Sequence, residues 1–523
     1  MKNASWIKSA IFYQIYPVSF FDGNGDGIGD LKGITAKVGY LKDLGIDAVW
    51  LNPVYKSPFK DAGYDVSDYL AIDKRFGTME DLKNLIEVFH ENNIKVVLDM
   101  VFGHTSNKHK WFIKSTSKKR NKYSDYYIWS DSNFDEYNGK LIKGLYYRDG
   151  GYLMNYYASQ PALNYGFHAP DKPWQLKYDD ERLAPLREEL LNVMRFYLDM
   201  GVDGFRFDLA GHMVKGEVWD DVSENGNIGN AWFWNKIFGT LRKEYKDKVY
   251  IAEWVCPKNS IAKCGFDFDF LTHDTPAYNE LVRNEKNTNL VPELELGDNY
   301  FSENGKGTMK NFADYVDDLY KTIDGKGYIS SPSGSHDEIR IGTFKSDDLL
   351  KTIFAFLLTY KNIAFIYYGD EIGIRHNFNV SRDGGSIRTG TRTPMQWTNG
   401  RNRGFSQHRG TYLPTNKDKN CSVESQLKDE NSVLNTVKKL IKIRKMYPCL
   451  NAGCSQRFLE TGYPAVYERS DDKTTIRVYL NPSNKPVERK CEINEVLLAQ
   501  NAEIKGNTIL LNAQSFAIIK INA

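Results

Sequence analysis

LREELLNVMRFYLDMGVDGFRFD, residues 186–208, contains the unit from which most of this chain is built. Leu186, Leu190, Met194 and Tyr197 recur at helical spacing and so line one face of a helix. Gly201 follows where a left-handed residue commonly ends a helix. Val202 to Asp208 then reads as a strand, too continuously apolar to have one wetted face. The same succession recurs upstream. Leu41 to Gly45 leads into a run at 47–51, and Thr78 caps a predicted helix with Leu82, Leu85, Ile86 and Phe89 on one face before a run at 94–99. Further strand-like runs lie at 11–20, 249–253, 266–270, 328–331 and 363–368. That makes eight in all, alternating with helices, and predicts an α/β fold closed as a (β/α)8 TIM barrel rather than an open doubly wound sheet.

Two segments break the pattern. Residues 103–166 are rich in Tyr, Asn, Asp and Ser and too long for an ordinary strand-to-helix loop, so they are expected to form a small subdomain inserted after strand 3. A helix predicted from Val433 stops at Pro448, and short strand-like stretches follow at 464–468, 475–480, 508–511 and 516–519. They predict a C-terminal antiparallel β-sandwich. The expected division is 1–102 and 167–448 for the barrel, 103–166 for the insert and 449–523 for the sandwich.

Composition narrows the function. The 523 residues carry a net charge of only +2, with no basic run interleaved with aromatics, which argues against nucleic acid as the partner. Aromatic residues make up 14%, enough for sugar-stacking surfaces as well as a core. No apolar leader is visible at Met1 to Trp6, and the stretch from Ile353 to Tyr368 is broken by Lys361 and Asn362 and too short to span a bilayer. Cys256, Cys264, Cys421, Cys449, Cys454 and Cys491 show no metal or redox spacing. Scattered thiols of this kind predict a cytoplasmic protein. No membrane partner is expected, and the oligomeric state is left open with a monomer favoured.

The chemistry-bearing residues sit at the ends of the predicted strands. Asp208, Glu253 and Asp337 each close such a run. Acids at the carboxyl ends of barrel strands converge on one mouth, which suits carboxylate-driven acid/base and nucleophilic catalysis. Arg206, two residues before Asp208 on the same strand, points to the same side and can keep that carboxylate ionised.

The motifs YQIYP (13–17), DMVFGH (99–104), QPALN (160–164), GFRFD (204–208), SHD (335–337) and RTPMQW (392–397), in this order and with Glu253 between them, resemble glycoside hydrolase family 13. Within this α-amylase superfamily the chain is similar to the oligo-1,6-glucosidase and α-glucosidase branch. The resemblance implies a retaining glycosidase with Asp208 as nucleophile, Glu253 as general acid/base and Asp337 stabilising the transition state. It also implies that His104 and His336 hydrogen-bond the first-subsite glucose, and that Tyr64, in the segment Asp61 to Asp65, stacks beneath it. Asp61 would grip the non-reducing end together with Arg388 or Arg392, Arg388 being favoured, which makes the enzyme exo-acting. There are departures: Ser335 stands where the family usually has Asn, and Ala162 where this branch usually has Asp. Leu209, just after the nucleophile, is neither the Val associated with α-1,6 activity nor the Ala or Thr associated with α-1,4, though its bulk leans towards Val.

The loop DGNGDGIGD (22–30) alternates oxygen ligands with glycine. Ca2+ or Mg2+ would take Asp22, Asn24, Asp26, the Ile28 carbonyl and Asp30. An EF-hand would need Glu at its twelfth position, where Gly33 stands. The loop resembles the family's structural metal loop, whereas Gly103 replaces the Asn that helps hold the main calcium of many amylases, so that second site is expected to be absent. No organic cofactor is implied. The expected activity is hydrolysis of α-1,4 or α-1,6 links in short gluco-oligosaccharides. The nearest alternative is a trehalose synthase-like transferase or isomerase using the same acids. A sugar-binding domain without catalysis is disfavoured because all three acids are present.

Overall fold

The computed structural model describes residues 4–283, 285–286, 295–296, 298–416 and 421–521. Met1 to Asn3, part of the stretch read as lacking a leader, lie outside the described residues. Eight parallel strands are present: Ile11–Ile15 (β1), Ala48–Leu51 (β2), Lys95–Met100 (β3), Gly204–Phe207 (β4), Val249–Ala252 (β5), Phe268–Phe270 (β6), Tyr328–Ser330 (β7) and Ala364–Tyr367 (β8). They pair in the order β7-β6-β5-β4-β3-β2-β1-β8. The Ile363 N–H donates to the Ile329 carbonyl at 2.9 Å and the Ser333 N–H to that of Phe365 at 3.0 Å, which joins β7 to β8 and closes the TIM barrel.

Alternation along each strand sorts the side chains. Phe12, Trp50, Val97, Val249, Ile251, Phe268, Phe270 and Phe365 form one buried cluster inside the barrel. Burying each large apolar side chain of this kind contributes about 1.5–3 kcal/mol. Residues two steps further along the same faces point to the carboxyl-end mouth, which is how Asp99 and Arg206 come to be register partners on β3 and β4. Gly204 is required at the base of β4: a Cβ there would lie 2.0 Å from the Val249 carbonyl oxygen.

The helices form as their patterns predict. Residues Ala184–Asp199 bury Leu186, Leu190, Met194 and Tyr197, and Gly201 has φ +110°. Residues Met79–Glu91 open on a capping box between Thr78 and Asp81. The run expected as a strand over 11–20 ends at Ile15, because Pro17 begins the short helix Pro17–Phe20.

After β3 the chain leaves the barrel. Strands Leu141–Lys143 and Gly151–Leu153 make a hairpin over a small core of Ile128, Leu141, Leu153, Ala162, Phe167 and Trp174. A bridge between His104 and Ala162 ties this insert to the end of β3, so it walls the mouth.

The carboxyl-terminal part is antiparallel: Ser455–Thr461 (β9), Ala465–Ser470 (β10), Thr475–Asn481 (β11), Val487–Lys490 (β12), Glu495–Lys505 (β13) and Thr508–Ile521 (β14). The order is β9-β10-β11-β14-β12, with β13 also on β14. The two stretches expected at 508–511 and 516–519 are one strand. β9 and β12 escape the apolar pattern because they are charged or polar edge segments whose partners decide their conformation, and β13 because its apolar residues Val496 to Ala499 run together without alternating. Ile476, Val478, Leu480, Phe516 and Ile518 belong to the same buried cluster as the helices around the barrel. One buried guanidinium, Arg469, fastens the join, and a second, Arg444, braces the same helix end from within the barrel part. Arg469 donates to the carbonyls of Thr359 and Leu450 at 2.6 and 3.2 Å, and Arg444 to those of Leu358 and Asn362 at 2.9 and 2.6 Å. Both reach the carboxyl end of helix Asp347–Thr359, where cations are favoured. Among the described residues no helix is long and apolar enough to cross a membrane.

Candidate active site

Arg206 organises the mouth. Its Nη1 donates to Asp99 Oδ1 at 2.7 Å and to Asp208 Oδ1 at 3.1 Å, while Nη2 meets Glu253 Oε1 at 2.7 Å. One guanidinium therefore holds acids from β3, β4 and β5, and its planar fork fixes how they face one another. The Trp50 ring lies beneath, 4.8 Å from Cζ. The other oxygen of Glu253, Oε2, accepts the Leu209 N–H at 2.8 Å, and Leu209 itself is left-handed with φ +46°. The chain thus turns sharply just after Asp208.

Asp337 faces this cluster from the loop after β7. Its Oδ1 accepts from Arg388 Nη1 at 2.9 Å and Arg392 Nη2 at 2.8 Å, and its Oδ2 lies 3.1 Å from His336 Nε2. Gln14 Nε2 donates to His336 Nδ1 at 3.0 Å, which leaves the imidazole proton on Nε2, aimed at Asp337. The Tyr64 ring lies parallel to His336 at 5.2 Å. Its hydroxyl accepts from Asn52 Nδ2 at 2.7 Å and donates to Asp99 Oδ2 at 2.9 Å.

The remaining expected sugar contacts are placed as follows. Asp61 accepts from Gln160 Nε2 at 2.7 Å, whereas Arg388 is turned onto Asp337, so the two do not pair directly. Both ring nitrogens of His104 are engaged, Nε2 on the Tyr64 carbonyl at 2.9 Å and Nδ1 with Asn155 Nδ2 at 3.0 Å. Asp99, Gln14 and Gln160 therefore take part in the site from motifs that gave them no role, Asn52 does so from outside those motifs, and Arg392, considered for Asp61, is on Asp337.

The acids differ in proton affinity. Burial raises Asp337, but His336, Arg388, Arg392 and Arg206 outweigh it and hold the carboxyl well below the usual range. Burial pushes Asp208 up to about 7, against the pull of Arg206. Burial also pushes Glu253 up to about 8, again opposed by Arg206 and reinforced by Asp208 and Asp337. Asp337 is thus held ionised, while Asp208 and Glu253 bind their protons more tightly than free carboxyls do. Burial lowers His336 to about 3 and His104 to about 4, so both rings are neutral. A carboxylate beside a carboxylic acid, with neutral and cationic donors around them, can perform nucleophilic substitution assisted by proton transfer.

The 22–30 loop lies apart, packed on Phe405 and Ser406. Asp22 Oδ1 accepts the Gly25 N–H at 2.7 Å, Asn24 Oδ1 that of Asp26 at 2.9 Å and Asp26 Oδ1 that of Ile28 at 2.8 Å. Asp30 instead turns inward onto the N–H groups of Gly23, Asn24 and Gly33. The donor set is oxygen only, as a hard cation requires, but both oxygens of Asp22 and Oδ2 of Asp30 each already accept two hydrogen bonds, so a cation would have to displace some of these donors. Among the described residues no three acidic, His or Cys side chains converge as a metal cluster, so such a cation would also need Asn24 and the Ile28 carbonyl.

Known proteins are similar to this chain over most of its length. Residues 14–453 match the family model for the alpha amylase catalytic domain. An oligo-1,6-glucosidase of Parageobacillus thermoglucosidasius is 34% identical over 520 residues, covering 88% of this chain and 87% of that protein. A trehalose synthase/amylase of Mycolicibacterium smegmatis is 30% identical over 480 residues, covering 86% and 78%. The crystal structure of an isomaltulose synthase mutant from Erwinia rhapontici, in complex with sucrose, superposes with a TM-score of 0.83 at 27% identity and covers 99% of each chain.

Proposed function

The chain belongs to the alpha-amylase family and is a glycoside hydrolase, and on that premise we propose that it is a retaining α-glucosidase acting on the non-reducing ends of short α-gluco-oligosaccharides. The observation that carries the reading is the shared guanidinium of Arg206, which binds both Asp208 and Glu253 and so keeps them close together. Retaining enzymes need such proximity, with carboxyls about 5–5.5 Å apart, because one attacks the carbon whose leaving oxygen the other protonates.

The Asp208 carboxylate attacks the anomeric carbon as the glycosidic C–O bond breaks. The electron pair of that bond goes to the departing oxygen, which takes the proton of Glu253. Asp337, ionised at all working pH values, stabilises the positive charge that develops on the sugar ring. Glu253, now a carboxylate, takes a proton from water, whose oxygen attacks the anomeric carbon and releases Asp208. Arg206 assists both steps by favouring the ionised form of each acid when it must be charged. Tyr64 supports the ring through its apolar face, and Asp61, held by Gln160, takes the terminal hydroxyls and limits the enzyme to chain ends.

Linkage is assigned through Leu209, whose bulk favours tolerance of α-1,6 links. Transfer of the glucosyl group to another sugar is the second reading, favoured by the similarity to a trehalose synthase/amylase and an isomaltulose synthase. The 22–30 loop is proposed to hold Ca2+ or Mg2+ through Asp22, Asn24, Asp26, the Ile28 carbonyl and Asp30, a structural role away from the reacting atoms. A cytoplasmic setting is supported by the free thiols of Cys256, Cys264, Cys449, Cys454 and Cys491.

The test is product analysis over time on maltose, isomaltose, sucrose, trehalose and panose, alongside Asp208→Asn. Glucose release that the variant loses almost entirely, with sugar binding kept, supports the reading. Rearranged disaccharide as the first product would establish the transferase instead. Near wild-type turnover by Asp208→Asn would remove Asp208 from the role of nucleophile.

A further inference from the structure

The turn that follows Glu253 is strained. Val255 is β-branched yet has φ +62°, a backbone region that such residues avoid. A conformation of this kind persists only where the surroundings enforce it. The enforcing group is Asp269, in the middle of β6, with no exposed surface. Its Oδ1 accepts the N–H groups of Trp254 at 3.1 Å, Val255 at 3.2 Å and Phe270 at 2.8 Å. Its Oδ2 accepts from the Cys256 N–H at 3.1 Å and from Ser260 Oγ at 2.6 Å. Three consecutive backbone N–H groups thus converge on one carboxylate, the geometry of an anion-binding nest whose anion is supplied by the neighbouring strand.

Asp269 lies on the outer side of its strand. Its neighbours Phe268 and Phe270 fill the barrel interior, so alternation turns Asp269 away from the mouth. It makes no contact with the other acids, and the chemistry described above does not use it. What it touches is the backbone directly after Glu253. Trp254, at the start of that turn, is fixed a second time by its indole N–H on the Trp219 carbonyl at 2.7 Å.

We propose that Asp269 is a positioning residue for the general acid/base, holding the strained 254–256 turn so that the Glu253 carboxyl stays aimed at the departing glycosidic oxygen. This rests on Glu253 being that acid. An acid displaced by even 1 Å transfers its proton poorly, and such misplacement can cost about a hundredfold. The cost falls only on substrates whose leaving group needs a proton.

The experiment compares kcat/KM on isomaltose with kcat/KM on 2,4-dinitrophenyl α-glucoside, whose leaving group departs without one, for wild type, Asp269→Asn, Ser260→Ala and Glu253→Gln. Asp269→Asn keeps the size but puts an N–H where acceptors are needed. It is expected to lower isomaltose turnover by about tenfold or more while the aryl glucoside changes less than about threefold, and to displace the alkaline limb of the pH profile. Ser260→Ala removes one of the five bonds and is expected to show the same selectivity at a few-fold level, so the test stands even if Asp269→Asn does not fold. Equal losses on both substrates, or a lower melting temperature with kinetics and pH profile unmoved, would make Asp269 merely structural and overturn the proposal. Glu253→Gln separates the two levels. If it too shows no selective loss on isomaltose, the acid assignment itself is wrong and the proposal falls with it.

Discussion

Arg206→Lys would keep the positive charge at the centre of the mouth and remove the fork. In the native protein Nη1 serves Asp99 and Asp208 at 2.7 and 3.1 Å while Nη2 serves Glu253 at 2.7 Å. A lysine ammonium is a single point on a flexible stem and cannot span both sides. Each hydrogen bond to a charged group is worth about 1.5–3 kcal/mol, so losing two of the three costs about 3–6 kcal/mol. If that loss is felt in the transition state, kcat/KM falls by about 10²–10⁴, at 1.36 kcal/mol per factor of ten. The pH profile should move as well. Arg206 pulls both Asp208 and Glu253 downward. A weaker pull raises both, so the acid limb, where Asp208 must ionise, and the alkaline limb, where Glu253 loses its proton, both shift to higher pH. The assay is glucose release from isomaltose across pH, with calorimetry to show that the variant is folded. A folded variant within tenfold of wild type, with both limbs unmoved, would refute the central role given to this guanidinium.

Glu371 offers a test of stability away from catalysis. It has no exposed surface, accepts from the hydroxyls of Tyr13 and Tyr40 at 2.7 Å each, and is raised by burial from 4.5 to about 7. Because the folded value lies above the unfolded one, its stabilisation is complete below about pH 4.5 and is lost as pH rises through 7. A shift from 4.5 to about 7 amounts to at most about 3.4 kcal/mol. Glu371→Gln should therefore flatten the fall in stability between pH 4.5 and 8, measured by denaturant melts, and an unchanged slope would count against a protonated Glu371. Chelation of divalent ions with EDTA should lower the melting temperature by several degrees, and Asp26→Ala should lower it similarly and abolish the response to EDTA. An EDTA-insensitive wild type would remove the metal from the 22–30 loop. Asp61→Asn should raise KM for isomaltose about tenfold with little change in kcat, as expected for loss of one charged contact to sugar hydroxyls. A fall in kcat at constant KM would contradict its assignment to binding.

The barrel was legible because its signal is local. A helix with one apolar face, a glycine and a run such as Val202 to Asp208 all lie within one short stretch of chain. Asp208, Glu253 and Asp337 stood out for the same reason, each closing an apolar run in which an acid is out of place. The contacts among them were not legible, since they join distant residues: Gln14 to His336, Asn52 through Tyr64 to Asp99, and Arg392 to Asp337. Nothing in the linear spacing of SIRTGTR (386–392) reveals that both of its arginines turn onto Asp337 rather than one of them onto Asp61. Asp269 was hidden in FDF (268–270), where it resembles any charged residue in a strand. The β9 and β12 strands were hidden because polar edges carry little apolar periodicity of their own.

Arg444 and Arg469 have a wider consequence. Among the described residues each is a buried cation that donates to backbone carbonyls rather than to a carboxylate, and both reach the end of helix Asp347–Thr359. The last seventy-odd residues are therefore no detachable appendage. A chain cut near residue 450 would lose the cation at Thr359 and bare the apolar face that Ile476, Val478 and Phe516 now cover. The two halves must melt in one endotherm, and swapping the tail between relatives would require the interlocking arginine and its receiving helix to travel together.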